Sequence, residues 1–295
     1  MTALVVIHNA AAGSADEEAV GTAVKALRTI GTEVAVEAVG DPEDVAAVLD
    51  RFPGHRPVVL GGDGSLHVVL ATLRQRGELA GRLVGLIPLG TGNDFARTLG
   101  IPLDPAEAAA VVLHGRPRAL DLLVDDQDRI VVNAAHLGVG AEAARQATPF
   151  KSVLGRFAYQ VGGVLAGVRE RGWRLRVTVD RTTIADGGRR VLQVGVGNGT
   201  SVGGGTLLAP DAEPGDGLAD VIVSFSTGPA ARLGYALRLR WGRHTTCDDV
   251  VSVRGRRITV AGEPLAVNAD GELWEPEPVH AWTVEPGAWR ITAPA

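Results

Sequence analysis

The residues with the clearest chemical potential are Gly61-Gly62-Asp63-Gly64-Ser65, between the apolar run Val58–Leu60 and a helical pattern that begins near Ser65. Glycines let a backbone turn sharply and come close to a ligand where a Cβ would block it. A helix start then offers N–H groups and a positive dipole end to a phosphate. Asp63 would repel a bare phosphate, so a Mg2+ ion or an ordered water is implied between them. Alone, such a loop is equally a tight strand-to-helix turn. It has company, however. Asn9-Ala10-Ala11-Ala12-Gly13 follows the first apolar run, and Pro88-Leu89-Gly90-Thr91-Gly92-Asn93-Asp94-Phe95 follows the run Leu83–Ile87. In a parallel sheet all three turns lie at the carboxyl ends of strands, where open α/β sheets bind ligands. No GxxxxGK(S/T) loop is present, which excludes an ordinary P-loop NTPase. Near the other end, Asp270-Gly271 precedes Glu272; by itself this pair reads as a hairpin turn.

The elements that must position these residues follow from periodicity. Leu4–Ile7, Val34–Ala38, Val58–Leu60 and Leu83–Ile87 read as strands. Helical spacing covers Asp16–Ile30, Pro42–Leu49, the stretch from Ser65 to Leu73, and Asn93–Leu99. Alternating strands and helices predict a parallel sheet with helices on its faces. After about Ala119 the pattern becomes valine-rich and strand-like, with helical spacing only at Leu154–Val168 and Ala230–Leu239, the signature of a largely antiparallel β domain. The fold class expected is therefore α/β plus β. An N-terminal α/β nucleotide-binding domain (residues 1–122) precedes a β-rich, sandwich-like substrate domain (123–283), with the active site in the cleft between them. Residues 284–295 are expected to pack back on the first domain.

Together, NAAAG, GGDGS and PLGTGNDFAR resemble, in order and spacing, the catalytic domain of diacylglycerol kinases and their bacterial lipid-kinase relatives. Asn133 and Gly138 in VVNAAHLGVGAEA, Gly155-Arg156-Phe157-Ala158-Tyr159, Gly197-Asn198-Gly199, Gly203-Gly204-Gly205, Pro210 through Gly217, and the closing Asp270-Gly271-Glu272 extend the likeness over nearly the whole chain. The resemblance implies that Asn9, Ala10, Gly13, Gly61, Gly62, Asp63, Gly64, Ser65, Gly90, Thr91, Gly92 and Asn93 contact ATP. It implies a Mg2+–water network at Asp63 and Asp94, and a structural Mg2+ site at Asp216 with carbonyl oxygens near Glu213 and Leu218. Asp270 and Glu272 would sit at the catalytic centre. The implied reaction moves the γ-phosphoryl of ATP to a hydroxyl of diacylglycerol or a related lipid. Such transfer asks for positioning, charge neutralisation and a carboxylate that aligns the hydroxyl; Asp270 is the first choice for that carboxylate and Glu272 its rival. Two alternatives stay open: a kinase of a soluble hydroxyl metabolite, since NAD kinases and phosphofructokinases share a GGDG-type loop, and a non-catalytic nucleotide-binding regulator.

The chain departs from the pattern at Ala10, where proline is usual, at Ser65, where threonine is usual, and at Ala38–Asp44, which is acidic. Gly138-Val139-Gly140-Ala141-Glu142-Ala143 imitates a dinucleotide fingerprint only superficially. His244, Cys247, Asp248 and Asp249 match no zinc spacing and read as a solvated loop. His8 and His67 read as packing residues, and Trp241, Trp274, Trp282 and Trp289 as core.

Composition bounds the rest. The chain has 295 residues, 45% hydrophobic, with a net charge of −5. Lys25 and Lys151 are its only lysines, and no Lys/Arg run offers a surface for nucleic acid or an anionic membrane. One cysteine, Cys247, suits a reducing compartment. Met1–Asn9 lacks the features of a signal peptide, and no stretch is apolar enough to cross a bilayer. The location expected is cytoplasmic with peripheral contact at the inner membrane face, and a homodimer is compatible with the sequence.

Overall fold

The computed structural model describes residues 2–10, 14–28, 31–142 and 171–295. The expected helix Leu154–Val168 and the Gly155–Tyr159 segment lie outside the described residues. Contacts divide the chain into two units, one of Met1–Leu122 with Pro286–Ala295 and one of Leu123–Glu285.

The first unit alternates β1 (Thr2–Asn9), α1 (Ser14–Leu27), β2 (Thr32–Val39), α2 (Pro42–Arg51), β3 (Arg56–Gly61), α3 (Asp63–Gln75), β4 (Leu83–Pro88), α4 (Asp94–Thr98), α5 (Pro105–His114) and the start of β5 (Arg116–Asp125). The sheet order is β2-β1-β3-β4, parallel throughout. Leu4, Val5, Val6, Val58, Val59 and Val84 are fully buried, as strands covered on both faces require. The helix starts carry their own signals. Asp104 accepts the N–H groups of Ala106 and Glu107 ahead of α5, and Pro42 and Pro105 occupy first-turn positions. The last strand, β16 (Glu272–Ala293), ends in this unit, where Arg290 pairs in parallel with Leu83 of β4. There Trp289 is fully buried, stacks on Phe95 at 5.9 Å, and donates its indole N–H to the Asp121 carbonyl. A side chain this large must place its N–H on an acceptor once buried.

The second unit comprises β6 (Ile130–Val131), β7 (Ala134–Gly138), β8 (Trp173–Val179), β9 (Thr182–Val191), β10 (Gln193–Gly197), β11 (Ser201–Val202), β12 (Thr206–Leu207), β13 (Ala219–Ser224), α6 (Pro229–Leu239), β14 (Val250–Gly255), β15 (Arg257–Ala269) and the start of β16. Strands β14-β13-β10-β7-β15 are antiparallel neighbours; β15 also pairs β8 and β16, and β8 pairs β9. Leu137, Val177, Val194, Val221, Val223, Ile258, Val267 and Trp282 share its main core. This is the valine alternation of the sequence expressed as one buried face.

Two expectations are corrected here. Trp241 is not core: it is 71% exposed. His244 is not in a solvated loop: it is fully buried, with its Nε2 3.0 Å from the Leu208 carbonyl oxygen and its ring edge-on to Tyr235. The stretch around it is polar, but tertiary packing of α6 encloses the one imidazole.

Candidate active site

In the first unit the register brings the ends of β1, β3 and β4 to one sheet edge. His8 pairs with Leu60, and Gly61 with Pro88, so the chain leaves β1, β3 and β4 side by side. The turns after β3 and β4 then touch backbone to backbone. A Cβ on Gly62 would lie 2.9 Å from the Gly90 Cα, and one on Gly90 closer still to the Gly62 Cα. The Leu89 N–H donates to the Gly61 carbonyl at 3.1 Å. Two strand-ending turns can lie this close only where both residues lack a side chain.

Asn93 closes the second turn. Its Oδ1 accepts the Gly90 N–H at 2.9 Å and its Nδ2 donates to the Gly90 carbonyl at 2.7 Å. Asn93 itself sits in the left-handed region at φ 53°, which asparagine tolerates better than most residues. Asp63 joins the two loops from the other side. Its Oδ2 accepts the Asp94 N–H and its Oδ1 the Phe95 N–H, each at 3.0 Å, so it caps the start of α4 from another loop. Asp94 is buried. Ser65 packs against Gly61, whose added Cβ would meet the Ser65 Oγ at 2.5 Å and its Cβ at 2.8 Å. Gly64 and Thr91 are exposed, and Gly92 is half-buried. Asn9 ends β1 and Ala10 follows it, with the Ala10 N–H on the Val39 carbonyl; Gly13 lies outside the described residues.

In the second unit Asp270 and Gly271 form the two-residue turn between β15 and β16, with Ala269 paired to Glu272. Both turn residues have positive φ, 49° and 91°, as a hairpin turn of this length demands. The turn is only half of what Asp270 does. Its carboxylate accepts three successive backbone N–H groups, from Val132 at 2.7 Å, Asn133 at 2.9 Å and Ala134 at 3.1 Å. Its own N–H returns to the Ala134 carbonyl at 3.0 Å. The junction of β6 and β7 therefore wraps one carboxylate and fixes its orientation.

Around this junction lies an amide network. Asn133 donates to the Ser201 carbonyl at 2.8 Å and Asn198 to the Val132 carbonyl at 2.7 Å. The N–H groups of Asn198 and Gly199 both reach the Asn133 carbonyl. The Asn133 Oδ1 is buried without a hydrogen-bond partner among the described residues. Glu272, two residues beyond Asp270, is exposed. His136 on β7 is buried, and burial pushes its imidazole down to about 4. Nothing in the sequence marks His136, because its seclusion depends on three strands that converge from distant parts of the chain.

Among the described residues no three His, Cys, Asp or Glu side chains converge on one point that could hold a metal. In the loop of Glu213, Asp216 and Leu218 the polar groups already have partners within the chain. The Asp216 carboxylate pairs with the Arg254 guanidinium and accepts the Leu218 N–H, and the Glu213 carbonyl already accepts the N–H groups of Gly215 and Asp216. Arg254 also lies 3.3 Å from Asp220. Arg254 thus sets a positive charge beside the carboxylate at which the resemblance implied a Mg2+. Asp63 and Asp94 adjoin through the Asp94 N–H on the Asp63 carboxylate. Mg2+ keeps several waters and takes only one or two carboxylates beside substrate phosphates, so this pair has the residue types for it.

Two family models cover most of the chain. The diacylglycerol kinase catalytic domain matches residues 2–124, and the YegS C-terminal NAD kinase beta sandwich-like domain matches residues 133–293. A "probable lipid kinase YegS-like" of Pseudomonas aeruginosa is 35% identical over 99% of this chain and 94% of its own length. Another, from Stenotrophomonas maltophilia, is 35% identical over 81% of this chain and 78% of its own. A solved structure of a diacylglycerol kinase from Bacillus anthracis superposes with a TM-score of 0.70 at 18% identity, covering 99% of this chain and 96% of that one, which speaks to the fold. With an α/β first unit, a sandwich-like second unit and a relative matched end to end, this chain belongs to the diacylglycerol kinase catalytic-domain family, in its YegS-like branch.

Proposed function

We propose that this protein is an ATP-dependent lipid kinase that requires Mg2+ and transfers the γ-phosphoryl of ATP to a hydroxyl of diacylglycerol or a related lipid. The observation that carries the reading is the contact between Gly62 and Gly90, a pair of turns at one sheet edge that any Cβ would obstruct. The names of the relatives give the acceptor class its support.

In this reading the turns at Gly61–Ser65 and Gly90–Asn93 bind the triphosphate through backbone N–H groups, with the N-terminal end of α3 favouring its charge. Asn93 keeps the second turn in shape by its paired bonds to Gly90. Asp63 and Asp94 would hold the Mg2+, which when bound neutralises charge on the phosphates. Asp270, oriented by three N–H donors, would accept the proton of the attacking hydroxyl as its oxygen bonds the γ-phosphorus and the γ-phosphorus–bridging-oxygen bond breaks, releasing ADP. Glu272 is exposed and held by no comparable set of donors among the hydrogen bonds described, which makes it the weaker candidate.

Incubation with γ-labelled ATP, Mg2+ and a panel of micellar lipids tests the proposal, beside Asp270→Ala. The expected result is label in an organic-extractable product, absent from the variant. Label only in a water-soluble acceptor would overturn the lipid reading in favour of a soluble-metabolite kinase. No transfer to any acceptor, with ATP still bound, would favour the regulator.

A further inference from the structure

Three side chains of the second unit are exposed where exposure is hard to account for. Leu233 and Leu237 are each 63% exposed and Trp241 is 71% exposed, in α6 and the turn that follows it. Four-residue spacing puts the two leucines on one face of the helix and continues toward Trp241. The opposite face is the packed one: Tyr235 is buried beside His244, and Leu239 lies against the small core formed by Leu192, Ala209, Ile222 and Val250. The apolar stripe is therefore not the core-facing side of an ordinary amphipathic helix. It faces outward.

The charge around the stripe is as uneven as its polarity. Between Asp220 and the pair Asp248-Asp249 the sequence contains Arg232, Arg238, Arg240 and Arg243 and no acidic residue, in a chain whose net charge is −5. Arg238, Arg240 and Arg243 are exposed, and the Arg240 guanidinium lies 6.0 Å from the centre of the Trp241 ring. The sequence offers no run of basic residues because these arginines alternate with leucine, glycine and tryptophan; Arg238 lies in the last turn of α6, and Arg240 and Arg243 follow its end. An exposed apolar stripe, a tryptophan at its end and arginines with no neighbouring carboxylate on the segment suit an interface with fatty chains below and phosphates above. A protein partner would have to supply both an apolar groove and an acidic rim.

We infer that Leu233, Leu237 and Trp241, flanked by Arg238, Arg240 and Arg243, dock this protein on an anionic phospholipid bilayer. The leucines and the tryptophan enter the boundary between headgroups and acyl chains, and the guanidinium groups meet lipid phosphates. The inference deepens the lipid-kinase reading, since it gives the surface at which such an enzyme would meet its substrate, and in that sense it rests on it.

Flotation of the full-length protein with vesicles of phosphatidylcholine, with and without phosphatidylglycerol, tests it against two variants, L233S/L237S/W241S and R238Q/R240Q/R243Q. The native protein is expected to float with the anionic vesicles, less so as salt rises. The arginine variant should lose roughly 100-fold in affinity for them, from three basic contacts. The apolar variant should lose binding while keeping its melting temperature and its activity on micellar lipid. Equal flotation of native protein and both variants overturns the inference. So does a clear fall in melting temperature of the apolar variant, which would mean that the chain itself covers the stripe. A native dimer that becomes monomeric in that variant would assign the surface to a second copy instead. Flotation without any lipid phosphorylation would leave the docking surface standing and remove the kinase reading; lipid phosphorylation without flotation would do the reverse.

Discussion

Gly62 and Gly90 stand backbone against backbone at the ends of β3 and β4, so close that a methyl group on Gly62 would come within 2.9 Å of the Gly90 Cα. Neither glycine has a positive φ. Their role is spatial, since the space a Cβ would need is filled by the neighbouring turn. In the proposed function these two turns bind the triphosphate, and their spacing rests on that approach.

Gly62→Ala and Gly90→Ala are therefore expected to separate the two turns, weaken ATP binding at least tenfold and destabilise the first unit by about 1–3 kcal/mol. Gly64→Ala is the control, because an added Cβ there meets nothing within 4 Å and the melting temperature should hold. Scanning fluorimetry and nucleotide titration distinguish the three. A melting temperature unchanged in Gly90→Ala would show that the turns adjust freely.

Asp63 holds the Asp94 and Phe95 N–H groups, so Asp63→Asn is expected to lower stability by about 1–2 kcal/mol even without nucleotide. If Asp63 also serves Mg2+, the same variant should need more Mg2+ for half-maximal activity. The two effects are measured separately, one by thermal melting in EDTA and one by Mg2+ titration of turnover. A Mg2+ requirement equal to that of the native enzyme would confine Asp63 to its capping role.

Asp270→Asn turns an N–H donor toward at least one of the three backbone N–H groups now on the carboxylate. It is expected to destabilise the second unit by about 1–3 kcal/mol and to abolish transfer. Glu272→Gln, at an exposed position, should leave the melting temperature in place. Turnover in Glu272→Gln then decides between the two carboxylates: near-native activity selects Asp270, and loss without destabilisation brings Glu272 into the chemistry.

Burial holds the His136 imidazole at about 4, against 6.5 in the unfolded chain. Below 6.5 the unfolded form takes up a proton that the native form refuses, so this histidine's contribution is full above that pH and is lost as pH falls toward 4. The loss amounts to about 3 kcal/mol at most. Denaturant unfolding at pH 7 and pH 5 should show it, and His136→Gln should flatten the difference.

Asp220 works in the opposite direction. Burial, with Asp211 and Glu213 nearby, raises it to about 6, so the native form gains a proton before the unfolded one. This group favours folding fully below its ordinary 3.8, and that advantage is lost as pH rises through 6. Asp220→Asn should stabilise the protein at pH 7.5, and Arg254→Ala, which removes the cation beside both Asp216 and Asp220, should destabilise it. Because Arg254 already supplies the positive charge, EDTA is expected to leave the native melting temperature unchanged. A fall on chelation would reinstate a metal in that loop.

Part of this protein is written locally. The α/β-then-β order followed from periodicity, since strand and helix periods are properties of short windows. The Asp270-Gly271 turn was readable too, as few other residues accept two successive positive φ angles. Asp270's second task was not. Val132, Asn133 and Ala134 lie more than a hundred positions away, and nothing in either segment advertises the other. Trp241 and His244 went astray for the same reason. A tryptophan is core on average and a polar loop exposed on average, but α6 turned one outward and enclosed the other.

The order of elements and the chemical types at their ends are legible in the residues alone, because these depend on neighbours within a few positions. Only the tertiary packing brought Gly62 against Gly90, set Asp63 at the start of α4, paired Arg254 with Asp216 and turned Trp241 outward. Each of those depends on how the elements are wound and paired, and on which hydrogen-bonding groups are already used.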